Sequence, residues 1–335
     1  MTAGRKAGIV LTERGMLMLL YFAPMEGVTG YLYRNVHAAF FPGVDQYYAP
    51  FIAPDGSGNF RAGHLRDILP ENNRDLRLVP QILCSRPEPF LKVARELAAM
   101  GYQEVNLNAG CPSGTVVPKR KGAGMLADLQ ALDGFLAEVF SRCPLRVSVK
   151  TRMGLESTGE FPAILEIYNR YPLAELIIHA RDRAGMYRSC PDRAGFAEAF
   201  AASRSPVVYN GNLVSAAERD RVLALVPGLD RLMIGRGAAA DPSLFRQLRG
   251  GSPLSPEELR SFLEALCAAM EQSGLGSHYT LGRLKELWYY VSHLFPGGER
   301  LVKAINKAQS LSDYRSAVHA LFASGSFDPA ACFRG

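Results

Sequence analysis

The sequence predicts an α/β fold, a TIM (β/α)8 barrel followed by a small C-terminal helical bundle, and three observations predict it. Short apolar runs, several of them nearly unbroken, recur up to about residue 235, as parallel strands buried on both faces do. Most are followed by a loop and then by apolar residues at helical spacing, giving eight β-then-α units over roughly 230 residues. After Gly250 the alternation stops. A doubly wound open sheet is the alternative fold, but no G-x-G-x-x-G follows the first strand, which counts against it.

The strands are expected at 17–23, 45–49, 78–83, 104–108, 146–150, 176–180, 206–210 and 231–235. Helical spacing is plain at 88–100, 128–140, 161–171 and 215–225. The first run needs a check, because Arg5 and Lys6 precede it as they would a signal peptide. It is short, lacks a small-residue cleavage site and stops at Pro24, so it reads as a strand. Residues 1–15 read as a loose leader, with Met16 and Met18 as alternative starts. Residues 16–250 are then the barrel and 251–335 the helical domain.

The breaker cluster Gly250-Gly251-Ser252-Pro253, with Pro256 set to open a helix, begins that second domain. Leu259, Phe262, Leu263, Leu266 and Met270 mark one apolar helical face, and Leu284, Leu287, Trp288, Val291 and Phe295 a second. Two more helices are expected at 300–311 and 314–322. Lone Trp288 on such a stripe reads as core. Tyr47 and Tyr48, adjacent on a strand, read as one ring inside the barrel and one outside.

Composition fits this reading. The 335 residues are 48% hydrophobic and 21% charged, which excludes disordered, collagen-like and coiled-coil chains. No apolar run approaches the roughly 18 residues a membrane span needs. Six cysteines lie far apart without a C-x-x-C pair, so zinc ribbons and iron–sulfur clusters are unsupported and a reducing cytoplasm is the expected compartment. The histidines outside strand six have no metal-ligand spacing and no metal is expected. A net charge of +6 permits an anionic partner without requiring one. The cations are bunched at Lys119-Arg120-Lys121, at Lys150 and Arg152, and at Arg181, Arg183, Arg188 and Arg193. By themselves these are equally a solvated surface.

In a TIM barrel the working residues stand at the C-terminal strand ends. Here those ends read Ala-Pro-Met-Glu-Gly-Val-Thr at 23–29, Gln81, Asn-Leu-Asn-Ala-Gly-Cys-Pro-Ser at 106–113 and Lys-Thr-Arg at 150–152. His-Ala-Arg-Asp-Arg follows at 179–183, Asn-Gly-Asn at 210–212 and Ile-Gly-Arg-Gly at 234–237. Gly211, Gly235 and Gly237 at the strand seven–eight corner are either tight turns or a phosphate cradle, and the corner favours the cradle.

These stretches, in matching order over residues 17–320, resemble the tRNA-dihydrouridine synthases, FMN-dependent TIM-barrel enzymes with a helical C-terminal domain. The Asn-x-Gly-Cys-Pro motif with Lys-Gly-x-Gly at 121–124 is the most specific part. The resemblance implies that Pro24, Met25, Glu26 and Gln81 line the flavin, with Lys150 at its N1/O2 edge and His179 near the flavin and its phosphate. Asn210, Gly211, Asn212, Gly235 and Arg236 would hold the phosphate. The family often carries Asp where this chain has Asn212, and Gly where it has Ala180.

A cysteine is ordinarily a small buried hydrophobe. The resemblance gives Cys111 another part, general acid: reduced FMN delivers hydride to C6 of a uracil and the thiol protonates C5. An ordinary thiol keeps its proton near neutral pH and can donate it. The substrate implied is a uridine of the tRNA D-loop, flipped into the cleft, with NADPH as reductant. Asn108, Lys119, Arg120, Lys121, Arg152, Arg181 and Arg183 would contact the tRNA. With no exposed apolar stripe evident, a monomer is expected. A flavin reductase of a small molecule and a non-catalytic RNA-binding protein are the alternatives. The basic rim argues against the first, and Cys111, Lys150 and His179 together against the second.

Overall fold

In the computed structural model, residues 18–331 and 333 are described, so the expected leader and Met16 lie outside the described residues. Runs of branched and aromatic residues form β1 (Leu19–Phe22), β2 (Gln46–Tyr48), β3 (Leu78–Val79) and β4 (Gln81–Ile82). They continue as β5 (Glu104–Ala109), β6 (Arg146–Gly154), β7 (Leu176–Asp182), β8 (Val207–Asn210) and β9 (Arg231–Ile234). Every neighbouring pair is parallel. The sheet order is β3-β2-β1-β9-β8-β7-β6-β5-β4.

β3 and β4 are the expected third strand split at Pro80, which has no N–H to give a ladder. The Pro80 carbonyl still accepts from the Asn106 N–H at 2.9 Å, so the ring closes into the eight-stranded barrel the sequence predicts. The remaining strands fall where expected, within a few residues at their ends.

Strand alternation sends one set of side chains inward. Tyr21, Tyr48, Val79, Ile177, Val208 and Met233 form a buried cluster separate from the main core. Tyr47 instead packs outward on Phe22, 5.8 Å between ring centroids. Towards the N-terminal strand ends the barrel is plugged by Glu175, which accepts from Tyr21 Oη (2.7 Å), Tyr48 Oη (3.1 Å) and Arg231 Nη1 (2.7 Å). The opposite end stays open.

The outer helices are α1 (Tyr31–Phe40), α2 (Ala62–Ile68), α3 (Pro87–Ala99), α4 (Leu129–Arg142), α5 (Phe161–Tyr168), α6 (Arg193–Ala202) and α7 (Ala216–Leu225), with short α8 (Arg236–Ala240) and α9 (Leu244–Leu248). Asp128 and Ser215 cap α4 and α7, their oxygens accepting the N–H of Ala131 and Glu218; such a cap is worth about 1 kcal/mol. Spacing did not mark α1, α2 or α6. Alanines dilute the apolar face of α6, and α1 and α2 begin without a capping side chain.

The chain then forms α10 (Pro256–Gln272), α11 (Ser277–Val291), α12 (Glu299–Lys307) and α13 (Leu311–Ala323). Ser255 and Glu258 make a reciprocal capping box with Pro256 in the first turn. Trp288 is core as expected, and its Nε1–H donates to Tyr314 Oη at 3.0 Å. Phe262 of α10 meets Tyr33 and Phe41 of the α1 region edge-on at 5.7 and 5.3 Å. Arg283 of α11 donates to the Gly27 carbonyl at 2.8 Å, bringing the helical unit against the β1 loop at the open barrel end. Among the described residues, no helix is long and apolar enough to cross a membrane.

Candidate active site

Parallel register assembles the site. Gln81 pairs with Asn106, and Asn108 with Lys150. Arg152, His179, Asn210 and Met233 then stand in one row across β6 to β9. These ends open into a cleft of about 840 Å³. Every cofactor residue expected from the sequence lines it: Pro24, Met25, Glu26, Gln81, Lys150, His179, Asn210, Gly211, Asn212, Gly235 and Arg236. Asn108, Cys111 and Arg152 do too.

A chain of amides fixes one wall. Asn106 Nδ2 donates to Ser148 Oγ (2.9 Å), Gln81 Nε2 to Asn106 Oδ1 (2.7 Å) and Asn108 Nδ2 to Gln81 Oε1 (2.8 Å). Asn108 Oδ1 then accepts the N–H groups of Gly110 (3.1 Å) and Cys111 (2.9 Å). Each amide is thereby locked in one orientation, with donor and acceptor capacity left on Gln81. Asn106 and Ser148 belong to this chain although their own positions lie below the cleft; a polar residue inside a strand otherwise facing the barrel interior is the signal for them.

Cys111 is half-buried at the cleft wall. Its carbonyl accepts the Ala123 N–H at 3.0 Å, so the 121–124 stretch backs the cysteine loop. Gly122 has φ +56°, and a Cβ there would lie 2.7 Å from the Cys111 oxygen. The Lys-Gly-x-Gly stretch therefore has a packing reason.

Cations gather from β6 onward, next to this wall. Burial, then the neighbouring Arg152, lowers the Lys150 pKa to about 7, with Cys111 opposing. Burial, then Arg152, Lys150, Arg181 and Arg236, holds His179 well below its ordinary range, so its ring is neutral. Arg181 Nη1 lies 3.0 Å from His179 Nε2, and a guanidinium can only donate. Nε2 is therefore the acceptor and Nδ1 carries the hydrogen.

At the strand seven–eight corner Arg236 Nη2 donates to Asn212 Oδ1 at 2.8 Å, and Asn212 has φ +42°, a left-handed conformation asparagine tolerates. The amide thus makes the polar contact an aspartate would make. A Cβ on Gly235 would sit tightly against Ala23 Cβ at 3.3 Å and in ordinary contact with Met25 Sδ at 3.5 Å, so Ala23 would have to give a little to admit it.

The basic rim needs correction at one position. Arg181 is 1% exposed and does not line the cleft. Its Nε donates to the Ser189 carbonyl at 2.7 Å, and it braces His179 rather than facing solvent. Arg152 is as buried, held by donation to the carbonyls of Gly110 (3.0 Å), Asp182 (2.7 Å) and Met186 (2.9 Å), yet it reaches the cleft. Alternation along a strand sends these side chains inward, which a count of charges does not register. Arg183 is half-buried outside the cleft. Lys119 and Arg120 are exposed and Lys121 half-buried, all beyond the cleft lining. Sequence reasoning missed Tyr187, Tyr289, Tyr290 and Phe333, which line the mouth. Tyr187 within a run of arginines was a usable signal; the others depend on how the helical unit docks.

The donor set fits a flat anionic ring bearing a phosphate: amides and the apolar Ala23, Met25 and Met233 on the floor, Lys150, Arg152 and Arg236 around it. The family that this (β/α)8-barrel chain matches makes it an oxidoreductase. The chain belongs to the dihydrouridine synthase family, whose model, described as "Dihydrouridine synthase (Dus)", matches residues 21–321.

It is similar to the tRNA-dihydrouridine(16) synthases of Ralstonia nicotianae and Cupriavidus necator, 30% identical to each. The alignments cover 90% and 87% of this chain and 96% and 93% of those relatives. The tRNA-dihydrouridine synthase B of Pseudomonas putida is 28% identical, with 90% and 91% covered. Among solved structures, histamine dehydrogenase from Rhizobium sp. 4-9 shares the fold at a TM-score of 0.52 and 10% identity, over 80% of this chain and 50% of that one. A mutant morphinone reductase in complex with tetrahydroNAD does so at 0.51 and 14%, over 73% and 90%.

Proposed function

We propose that the protein reduces the C5–C6 double bond of a uridine in the tRNA D-loop to 5,6-dihydrouridine, using FMN in the cleft and NADPH as reductant. The observation that carries this reading is the gathering of Cys111, Lys150, Arg152, His179 and Arg236 around one cleft at the open end of the barrel. The relatives named as tRNA-dihydrouridine synthases supply the substrate.

FMN bound there supplies the hydride that reaches C6 of the base. Pro24, Met25, Glu26 and Gln81 line its ring, while Asn210, Gly211, Asn212, Gly235 and Arg236 hold its phosphate. Lys150 sets a positive charge against the negative charge a reduced flavin carries. Neutral His179 contributes a hydrogen-bond donor without competing for that charge. The Cys111 thiol gives its proton to C5 and is left as thiolate, which the nearby Lys150 charge stabilises until solvent restores the proton. Asn108 positions Cys111, and Arg152 and Arg183 join Lys119, Arg120 and Lys121 in contacting the RNA, with residues 251–335 as the tRNA-binding domain. The reading includes a monomer acting in the cytoplasm, where tRNA is found.

The test is an anaerobic absorption experiment on the purified protein. Flavin bands should bleach with NADPH and return on adding tRNA that lacks dihydrouridine, and mapping the product tRNA would identify the uridine. Bands that bleach but ignore tRNA would transfer the function to a small-molecule reductase.

A further inference from the structure

Among the described residues five large hydrophobic side chains are exposed: Met186, Tyr187, Leu225, Tyr279 and Tyr289. Tyr187 and Tyr289 line the cleft mouth, and Tyr289 is the most exposed of the five at 64%. An aromatic ring left in water beside a site is a candidate contact surface, since burying it is favourable.

The Tyr289 ring is held in place. Tyr290 lies perpendicular to it at 5.0 Å between centroids, and Phe333 near-perpendicular at 6.4 Å. A ring braced on its neighbours and still mostly in solvent loses little freedom when something stacks on it. Its surroundings are cationic. Arg236 stands 4.2 Å over the Tyr187 ring, and exposed Arg188 also lines the cleft. Flat aromatic surface interleaved with arginine matches an unpaired nucleotide, a π-face attached to a phosphate.

Tyr187 belongs to the loop after β7 and Tyr289 to α11, so the mouth is shared by the barrel and the helical unit. Flipping one base out of a tRNA loop leaves its neighbours unstacked, and they need a surface. We infer that Tyr289 is a stacking platform for a nucleotide flanking the one that enters the cleft, with Arg188 opposing its phosphate. This rests on the reading of tRNA as substrate and adds to it a contact that orients the loop between the two parts of the protein.

The experiment compares the FMN-loaded wild type, Tyr289→Ala and Tyr289→Phe. NADPH-driven flavin reduction and tRNA-driven reoxidation are measured separately, with melting temperatures recorded. Tyr289→Ala should raise the KM for tRNA about tenfold, the size of one base–aromatic stack, with kcat and the NADPH step much less affected. Tyr289→Phe should retain the wild-type KM, because it keeps the ring. An unchanged KM in Tyr289→Ala overturns the platform, as does a loss of equal size in Tyr289→Phe or a parallel loss in the NADPH step. If wild-type enzyme is not reoxidised by tRNA at all, the substrate reading fails and the platform with it.

Discussion

Asn108 Oδ1 accepts the backbone N–H of Cys111 at 2.9 Å, tying the proposed proton donor to the amide chain that runs down to Ser148. The cysteine is therefore placed by its backbone, while its side chain stays available to the cleft.

Two substitutions separate those roles. Cys111→Ala should keep FMN bound and reducible by NADPH while losing nearly all uridine reduction, read as failure of tRNA to restore the flavin bands. A fully active alanine variant would refute the proton-donor role. Asn108→Ala leaves the thiol but removes its bracket, and a misplacement of about 1 Å can cost on the order of 100-fold in rate. It should lower the reoxidation rate by roughly 10- to 100-fold, again with NADPH reduction retained.

Lys150 gives a pH dependence. Its folded-state pKa, lowered to about 7 by burial and by Arg152, means that the empty cleft loses this charge as pH rises through 7. A ligand carrying negative charge at that point binds the protonated form, so it raises the pKa on binding and must take up a proton above pH 7. Affinity for reduced FMN should accordingly begin to fall as pH approaches 7 and steepen above it, towards a limit of about tenfold per pH unit. Anaerobic titrations between pH 7 and 9 measure this, and Lys150→Met should flatten the slope. A slope that persists in the methionine variant would locate the titrating group elsewhere.

How much of this was readable beforehand follows from what each feature depends on. The barrel was legible because parallel strands buried on both faces leave near-continuous apolar runs, and the split at Pro80 alters the ladder without altering the order. The cleft was legible for the same reason, since strand ends converge wherever the ring closes. Arg181 was misread because its two hydrogen bonds, to His179 and to the Ser189 carbonyl, depend on which way the strand faces and on the path of a loop. Tyr289 carries no signal of its own in the sequence. Its place at the mouth follows from the docking of α11, which no local spacing records.

That correction changes what arginine substitutions should do. Arg181→Ala removes a buried guanidinium and leaves His179 Nε2 and the Ser189 carbonyl without a donor, at about 1–3 kcal/mol for each buried group. It should lower the melting temperature and weaken FMN binding, while the salt dependence of tRNA affinity stays near wild type. Lys119→Ala with Arg120→Ala should behave in the opposite way. Both side chains are exposed, so stability should hold, and the log–log salt slope should become shallower by roughly 0.7–0.9 for each phosphate that is no longer neutralised. Equal salt slopes in that double variant and wild type would remove these two residues from the RNA interface.

Glycine substitutions distinguish a backbone that needs glycine from one that merely has it. Gly122 sits at φ +56°, and an added Cβ would lie 2.7 Å from the Cys111 oxygen and 2.9 Å from its Cβ. An alanine there meets left-handed strain of about 1–2 kcal/mol together with a clash against backbone that cannot swing aside. Gly134, in the middle of α4, has nothing within 4 Å of the same added atom. Alanine at that position lowers the entropic cost of the helix and should stabilise it by up to about 1 kcal/mol. Gly122→Ala should therefore lower the melting temperature and depress uridine reduction more than NADPH oxidation, because the displaced atoms belong to Cys111. Gly134→Ala should raise the melting temperature slightly and leave turnover as it is. Thermal melts and the two half-reactions measured on both variants decide the matter, and a Gly122→Ala protein that turns over normally would mean that the 121–124 loop does not set the position of the cysteine.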